Sequence, residues 1–256
     1  MITPAYLYNT HILSAYADSC CKVRYITNAR FFTLSKYNKF MHGVHIEETV
    51  ARRYGKSSII VYQGEIPRDG FLVKKGVVRV YQIGASGDSR TITFCTEGDV
   101  FPVAWLAGSS SPAMYYYEAF EDVDLVLLSR EVWNKTMAKS GALDSFSKYM
   151  IQNYQASLVR IAALEQAKAR DKIAYTLFYL ILLHAHEIVP GVYKLDLKLK
   201  HQDIAELVGL TRETTAIEVH ALQAAKVLSY QNQRYLIKKE KLLSTLNEDS
   251  LRQIEL

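Results

Sequence analysis

Cysteine is scarce in this chain. Of 256 residues only Cys20, Cys21 and Cys95 carry a thiol, and the first two are adjacent. Two neighbouring thiols and a distant third build neither a disulfide framework nor a four-thiolate cluster, which needs spaced ligands. Cys95, in the strand-like "TITFC", reads as a small buried apolar residue. Histidine is absent from residues 57–128, which argues against an enzyme that clusters His and Glu around a metal on the strands of a β-roll, as cupins do. Two close pairs elsewhere, "HGVH" at His42 and His45 and "HAH" at His184 and His186, lack a partner motif, and the second pair is expected on opposite sides of a helix. No eighteen-residue apolar run occurs. The longest, "IAYTLFYLILL" from Ile173 to Leu183, is too short to span a bilayer and suits a buried helix. The N-terminus lacks a signal peptide's apolar core, so the expected location is the cytoplasm, with no membrane partner.

A strong charge bias is also missing. The formal net charge is +5, with 49% hydrophobic and 22% charged residues, the composition of a soluble globular protein. Residues 1–60 hold 8 Lys/Arg against 3 Asp/Glu, residues 61–166 hold 10 against 12, and residues 167–256 hold 13 against 11. The excess is mostly N-terminal, so charge supports nucleic-acid binding only weakly. A motif has to carry that reading.

Residues 1–40 are aromatic and polar without clean periodicity and read as an N-terminal arm. From about Ser57 short β-like runs follow ("SSIIVY", "GFLV", "VVRVYQI", "RTITFC", "YYYEAF", "DLVLL"), broken by Gly64, Gly70, Gly76, "GASGD" and "EGD". That cadence indicates an antiparallel sandwich or small barrel. A long helical stretch is expected from about Ala142 to Glu187. In its first part Met150, Ile151, Tyr154, Leu158, Ile161 and Leu164 form an apolar seam that suits either pairing with a second copy or packing on the chain's own β domain. The seam weakens at "EQAKARDK", Glu165 to Lys172, where a hinge is expected. A strand pair is expected in "YKLDLKLK".

The run "DIAELVGLTRETTAIEVHALQAAKVLSYQNQRYLIK", Asp203 to Lys238, holds two short helical patterns joined by Gly209. Ile204, Ala205, Val208 and Leu210 face inward, with Gln202, Asp203 and Glu206 outward. Gly209 supplies the positive φ of a sharp turn, and Thr211 is placed to cap the next helix. In that helix Val219, Leu222 and Ala225 point to a core, which leaves Thr211, Arg212, Glu213 and Thr214 exposed at its start. A helix-turn-helix offers this end to the major groove. There Arg can donate two hydrogen bonds to guanine and Glu can accept from cytosine. Val227 to Tyr230 and Arg234 to Ile237 then read as two strands of a wing. The alternative from spacing alone is an ordinary helical hairpin on a small sheet.

The order of β-roll, long helix and winged helix-turn-helix resembles the CRP/FNR family of transcription regulators. "YQGE" (Tyr62–Glu65), "VKKGVVRVY" (Val73–Tyr81), "EGDVF" (Glu97–Phe101) and "HQDIAELVGLTRETT" (His201–Thr215) carry the resemblance, over roughly residues 45–240. It implies an α+β fold: an N-terminal antiparallel, jelly-roll-like β-roll, a long dimerisation helix and a C-terminal winged helix-turn-helix. The expected division is 1–40 arm, 41–141 effector roll, 142–167 dimerisation helix through Met150, Tyr154, Leu158 and Ile161, and 168–256 DNA-binding domain. It further implies a homodimer on double-stranded DNA, with RNA polymerase as a further partner if the protein activates. Arg212 and Glu213 fall on the family's base-reading positions, and Lys200 and Gln202 near its phosphate contacts. Ile217 stands where a further Arg is common.

The sensor departs most from the family. Its cyclic-nucleotide members hold ribose with a Glu and the cyclic phosphate with an Arg and a hydroxyl. The gapless match from "GDVF" puts Val103, Ala113 and Met114 in those places, so cAMP and cGMP are not expected to bind in the usual way. Phe101, Trp105, Tyr115, Tyr116 and Tyr117 remain, with Tyr115 and Tyr117 on one face and Tyr116 on the other. Three readings stay open: Phe101, Trp105, Tyr115 and Tyr117 line an apolar effector pocket, they pack the roll's core, or side chains fill the pocket and no ligand is needed. The sequence specifies no cofactor and no metal ligands. A regulatory module acting on a protein partner is the alternative function.

Overall fold

The computed structural model describes residues 50–246; the arm expected at 1–40, with Cys20 and Cys21, and the pair His42 and His45 lie outside the described residues. Eight strands come first: β1 (Ala51–Tyr54), β2 (Ile59–Val61), β3 (Gly70–Lys75), β4 (Val78–Ile83), β5 (Ser89–Cys95), β6 (Val100–Phe101), β7 (Tyr116–Ala119) and β8 (Val123–Leu128). They form two antiparallel four-stranded sheets, ordered β1-β8-β3-β6 and β2-β7-β4-β5. Alternation within each strand places Val61, Phe71, Val73, Val78, Phe101 and Leu125 in one core between the sheets. The turns need the glycines the sequence supplies: Gly76 has φ +92°, and a Cβ there would lie 2.4 Å from the Asp122 carbonyl oxygen.

Three helices follow the strands or interrupt them: α1 (Val103–Leu106), α2 (Arg130–Met137) and α3 (Ala142–Glu165). Ser129 caps α2 by accepting the Val132 amide at 3.2 Å. Trp105, Leu106, Trp133 and Tyr149 build a second core that fastens these helices to the roll.

The expected continuous helix from Ala142 to Glu187 is corrected in two ways. It breaks at residues 166–168, inside the segment where the apolar seam weakens, and its second part, α4 (Ala169–His184), ends before a strand. Residues Ile173 to Ile181 of α4 are buried on every side, as a helix that is apolar all round must be. The strand is β9 (Ala185–Val189), which pairs with β10 (Val192–Leu195). The "YKLDLKLK" segment therefore supplies one strand and not two. His184 and His186 consequently do not share a helix: His184 ends α4, buried, and His186 Nδ1 lies 2.8 Å from Asp196 Oδ1.

The last elements are α5 (His201–Val208), α6 (Arg212–Ala224), β11 (Leu228–Gln231), β12 (Arg234–Lys238) and α7 (Lys239–Thr245). The third sheet is ordered β11-β12-β10-β9. The wing turn has two residues, Asn232 at φ +50° and Gln233 at φ +62°, the left-handed pair that matches the twist of a tight hairpin. The largest core crosses the molecule. It joins Val77 and Phe94 of the roll and Ala156, Val159 and Ala163 of α3 to α4 and the helices and sheet beyond it.

Candidate nucleic-acid interface and effector cleft

The turn between α5 and α6 is made by Gly209 at φ +68°. Thr211 caps α6, its Oγ1 accepting the Thr214 amide at 3.1 Å and donating to Thr214 Oγ1 at 2.9 Å. Val219 and Leu222 are buried, whereas Ala225, expected inward, ends the helix and is exposed. The helix stops because Lys226 turns to φ +57° and leads into the wing.

The six residues singled out for DNA lie at the starts of two adjacent helices. Thr211, Arg212 and Glu213 are exposed and Thr214 half-buried; Lys200 and Gln202 are exposed at the start of α5. Ile217 is 67% exposed and continues the outward stripe of α6 with His220. The two helices touch on this face through His201 and His220, whose rings meet edge to face at 5.4 Å. Partial burial, His220 and Arg212 hold His201 below the ordinary imidazole pKa. The sequence offered no signal for this histidine pair, because the residues are nineteen positions apart and meet only through the turn.

Two residues expected outward are not solvated. Asp203 turns back to accept the Lys200 backbone amide at 2.6 Å, which satisfies an orphan donor of α5, and burial raises its pKa. Glu206 reaches the roll, where its Oε2 accepts from Arg79 Nη1 at 2.6 Å; the two side chains are 15% and 14% exposed. Arg160, in the last two turns of α3, is buried and donates to the carbonyls of Thr91 and Leu207. It thereby meets one of the free carbonyls at the end of α5.

The four aromatic residues proposed for an effector line one cleft of 960 Å³ between roll, α3 and α4. Phe101 sits between Phe71 at 5.2 Å and Tyr117 at 5.0 Å, both stacked. Phe101 and Trp105 also belong to the cores, so wall and core are the same residues here. Tyr116 faces the other way, stacked on Tyr81 at 5.2 Å. Burial raises the Tyr117 phenol well above its usual pKa, so it stays protonated as a donor. Cys95 packs against the core of the roll as expected, but it is half-buried and also lines this cleft.

On α3, Tyr154 is 65% exposed, Leu158 48% and Ile161 53%, with Ile151 and Leu164 beside them. Met150 is the exception. It is half-buried against the core around Trp105 and Tyr149. The opposite side of α3, with Tyr149, Ala156, Val159 and Ala163, is buried within the chain.

No helix among the described residues is long and apolar enough to cross a membrane, and none of their His, Cys, Asp and Glu residues form a group able to hold a metal. Residues 51–140 match the cyclic nucleotide-binding domain family and residues 171–246 the Crp-like helix-turn-helix domain family. The Global nitrogen regulator of Synechococcus elongatus is 26% identical over 189 residues, which cover 72% of this chain and 84% of that one. Among solved structures, FixK2 from Bradyrhizobium japonicum superposes with a TM-score of 0.62 at 20% identity, over 78% of this chain and 98% of that one. A CooA mutant from Carboxydothermus hydrogenoformans gives 0.63 at 25% identity, over 79% and 89%. With a roll, a winged helix-turn-helix, matches to both domain families and a transcription-regulator relative, the chain belongs to the CRP/FNR family of DNA-binding transcription regulators.

Proposed function

We propose that the protein acts as a homodimer, paired along α3, that reads a palindromic site with the start of α6. The observation that carries this reading is the exposed edge from Thr211 to Thr214, flanked by Lys200 and Gln202. Two-fold pairing sets two such edges against half-sites about one helical turn, ~34 Å, apart. Arg212 donates to guanine O6 and N7, Glu213 accepts from cytosine N4, and Ile217 offers methyl groups to a thymine methyl. Lys200 and Gln202 hold phosphates and set the register. The seam Tyr154, Leu158 and Ile161 supports the dimer, because an apolar row left in water gains by pairing with its copy.

In this reading residues 41–141 form the effector domain, 142–167 the dimerisation helix and 168–256 the DNA-binding domain. The effector domain does not take cAMP or cGMP in the family's usual way. Val103, Ala113 and Met114 carry no charge to offset a buried phosphate. Contact with RNA polymerase follows where the bound site activates.

Selection of bound duplexes from a random pool, followed by gel retardation, tests the whole. Arg212→Ala relaxes base preference at one position of each half-site, whereas Lys200→Ala weakens all duplexes alike and flattens the salt dependence. A folded dimer that prefers no duplex at any salt concentration overturns the reading and favours a module that acts on protein.

A further inference from the structure

We propose that the 960 Å³ cleft takes an uncharged, largely aromatic small molecule that touches both halves of the chain. This rests on the reading of the roll as an effector domain and adds the chemistry of the ligand.

The first argument is charge. Among the described residues, no lysine or arginine lines the cleft. Three arginines on the elements around it are engaged elsewhere: Arg160 with two carbonyls, Arg130 with the Ser109 carbonyl and the face of Trp105, Arg79 with Glu206. The one carboxylate that the described residues bring to the wall, Asp99, already accepts from the Thr96 amide at 2.6 Å and the Thr96 hydroxyl at 3.1 Å. An anion placed here loses its hydration and gains no counter-charge from a lysine or arginine, which is costly. A nucleotide or a simple carboxylic acid is therefore the wrong guest. A cation fares little better, since Asp99 is spent on its neighbours.

The second argument is the wall itself. Phe101, Trp105 and Tyr117 make the wall largely aromatic, although Phe101 is itself stacked between Phe71 and Tyr117, and Tyr115, Gln152 and Gln155 provide a few neutral hydrogen-bonding groups. Apolar walls with a handful of polar groups are what a neutral aromatic guest needs, and the volume lies in the range of small-molecule sites.

The third argument is position. The lining runs from the roll across α3 to Ile181 and His184 at the end of α4 and to Tyr193 of β10. A guest thus contacts residues on both sides of the break between α3 and α4. Leu158 belongs both to the cleft wall and to the exposed seam of α3, so pairing with a second copy borders the site.

The test uses the full-length protein and two fluorescent probes of similar size, neutral N-phenyl-1-naphthylamine and its anionic relative 1-anilinonaphthalene-8-sulfonate. The neutral probe is expected to bind saturably, one per chain, at least tenfold more tightly than the sulfonate, and 1 mM cAMP should not displace it. Val103→Arg and, at an exposed position of the same wall, Ser111→Arg should each strengthen sulfonate binding at least tenfold. Equal or tighter sulfonate binding to the unaltered protein, displacement of the neutral probe by cAMP, or no response to either arginine overturns the proposal. Gel retardation on the same sample separates the two readings. Probe binding without DNA binding sinks the regulator alone, and DNA binding without the neutral probe sinks the ligand assignment alone.

Discussion

Arg79 of strand β4 and Glu206 of helix α5 meet at 2.6 Å, 127 positions apart in sequence, and tie the roll to the first helix of the helix-turn-helix. Gln202 donates to the other oxygen of the same carboxylate at 3.1 Å, so a residue assigned to phosphate is linked to the roll through one intermediate. Glu118 stands 3.8 Å from Arg79 on the roll side. Because both Arg79 and Glu206 are largely shielded from water, the pair is worth more than a surface ion pair.

Glu206→Gln keeps the shape and removes the charge. A hydrogen bond to a charged group contributes roughly 1.5–3 kcal/mol, so thermal unfolding should shift down by about 3–12 °C, at about 2–4 °C per kcal/mol for a chain of this size. A double-mutant cycle with Arg79→Met should return a coupling of about 1–3 kcal/mol. Additive effects in that cycle would show that the two side chains do not act on each other in solution.

Substitution of the α3 seam addresses assembly. Tyr154→Asp and Leu158→Asp place like charges on a face that is exposed in the single chain, so the fold should hold while pairing weakens. Sedimentation should find monomer at concentrations where the unaltered protein is dimeric. Affinity for a full palindrome should fall toward that for a half-site. A dimer that survives both changes would locate the interface elsewhere.

Acidity acts through His201. Its folded pKa is lowered from 6.5, chiefly by burial and then by His220 and Arg212. The unfolded chain therefore takes up a proton first as pH falls. This contribution to stability is full above about pH 6.5 and is lost as pH drops toward the folded pKa. Phosphates brought close by DNA favour the charged ring, so duplex affinity should rise over the same interval. His201→Gln should flatten both profiles, read by urea titration and by gel retardation at several pH values. An unchanged slope in both would remove His201 from the account.

Backbone strain separates two glycines of the roll. A Cβ on Gly76 would lie 2.4 Å from the Asp122 carbonyl oxygen and 2.9 Å from the Val123 Cα, at φ +92°. Gly76→Ala should cost at least about 1–3 kcal/mol. Gly55 has nothing within 4 Å of its Cβ position, and Gly55→Ala should change stability by less than about 0.5 kcal/mol. Calorimetry of both variants checks the contrast.

Much of this architecture was legible because periodicity and turn chemistry agreed. The strands alternate between glycine-bearing turns, Gly209 and Thr211 mark the turn and cap between α5 and α6, and residues 173–183 are too apolar for anything but an interior helix. Three things escaped. The strand β9 hid inside an apparent helix, because Ala185–Val189 holds no breaker and only pairing with β10 fixes it as extended. Asp203 and Glu206 looked solvated on a helical wheel, yet one closes its own helix and the other is claimed by Arg79. Arg160 interrupts an apolar helix, a local oddity whose partners, Thr91 and Leu207, could not be found without the fold. Contacts between distant segments leave no trace in local spacing. Phe101, Trp105, Tyr115 and Tyr117 were singled out from sequence with pocket and core both open, and the structure gives Phe101 and Trp105 to cleft and core alike.

The break at residues 166–168 looks in sequence like a place where two independent pieces join, yet the main apolar core passes straight across it. Cutting the chain there would not liberate two self-sufficient bodies. Each would carry away half of a torn interior, with Phe94 and Val159 stripped on one side and the flank of α4 on the other. A shift of the roll against the helix-turn-helix would accordingly have to slide packed surfaces past one another, unlike beads swinging on a string.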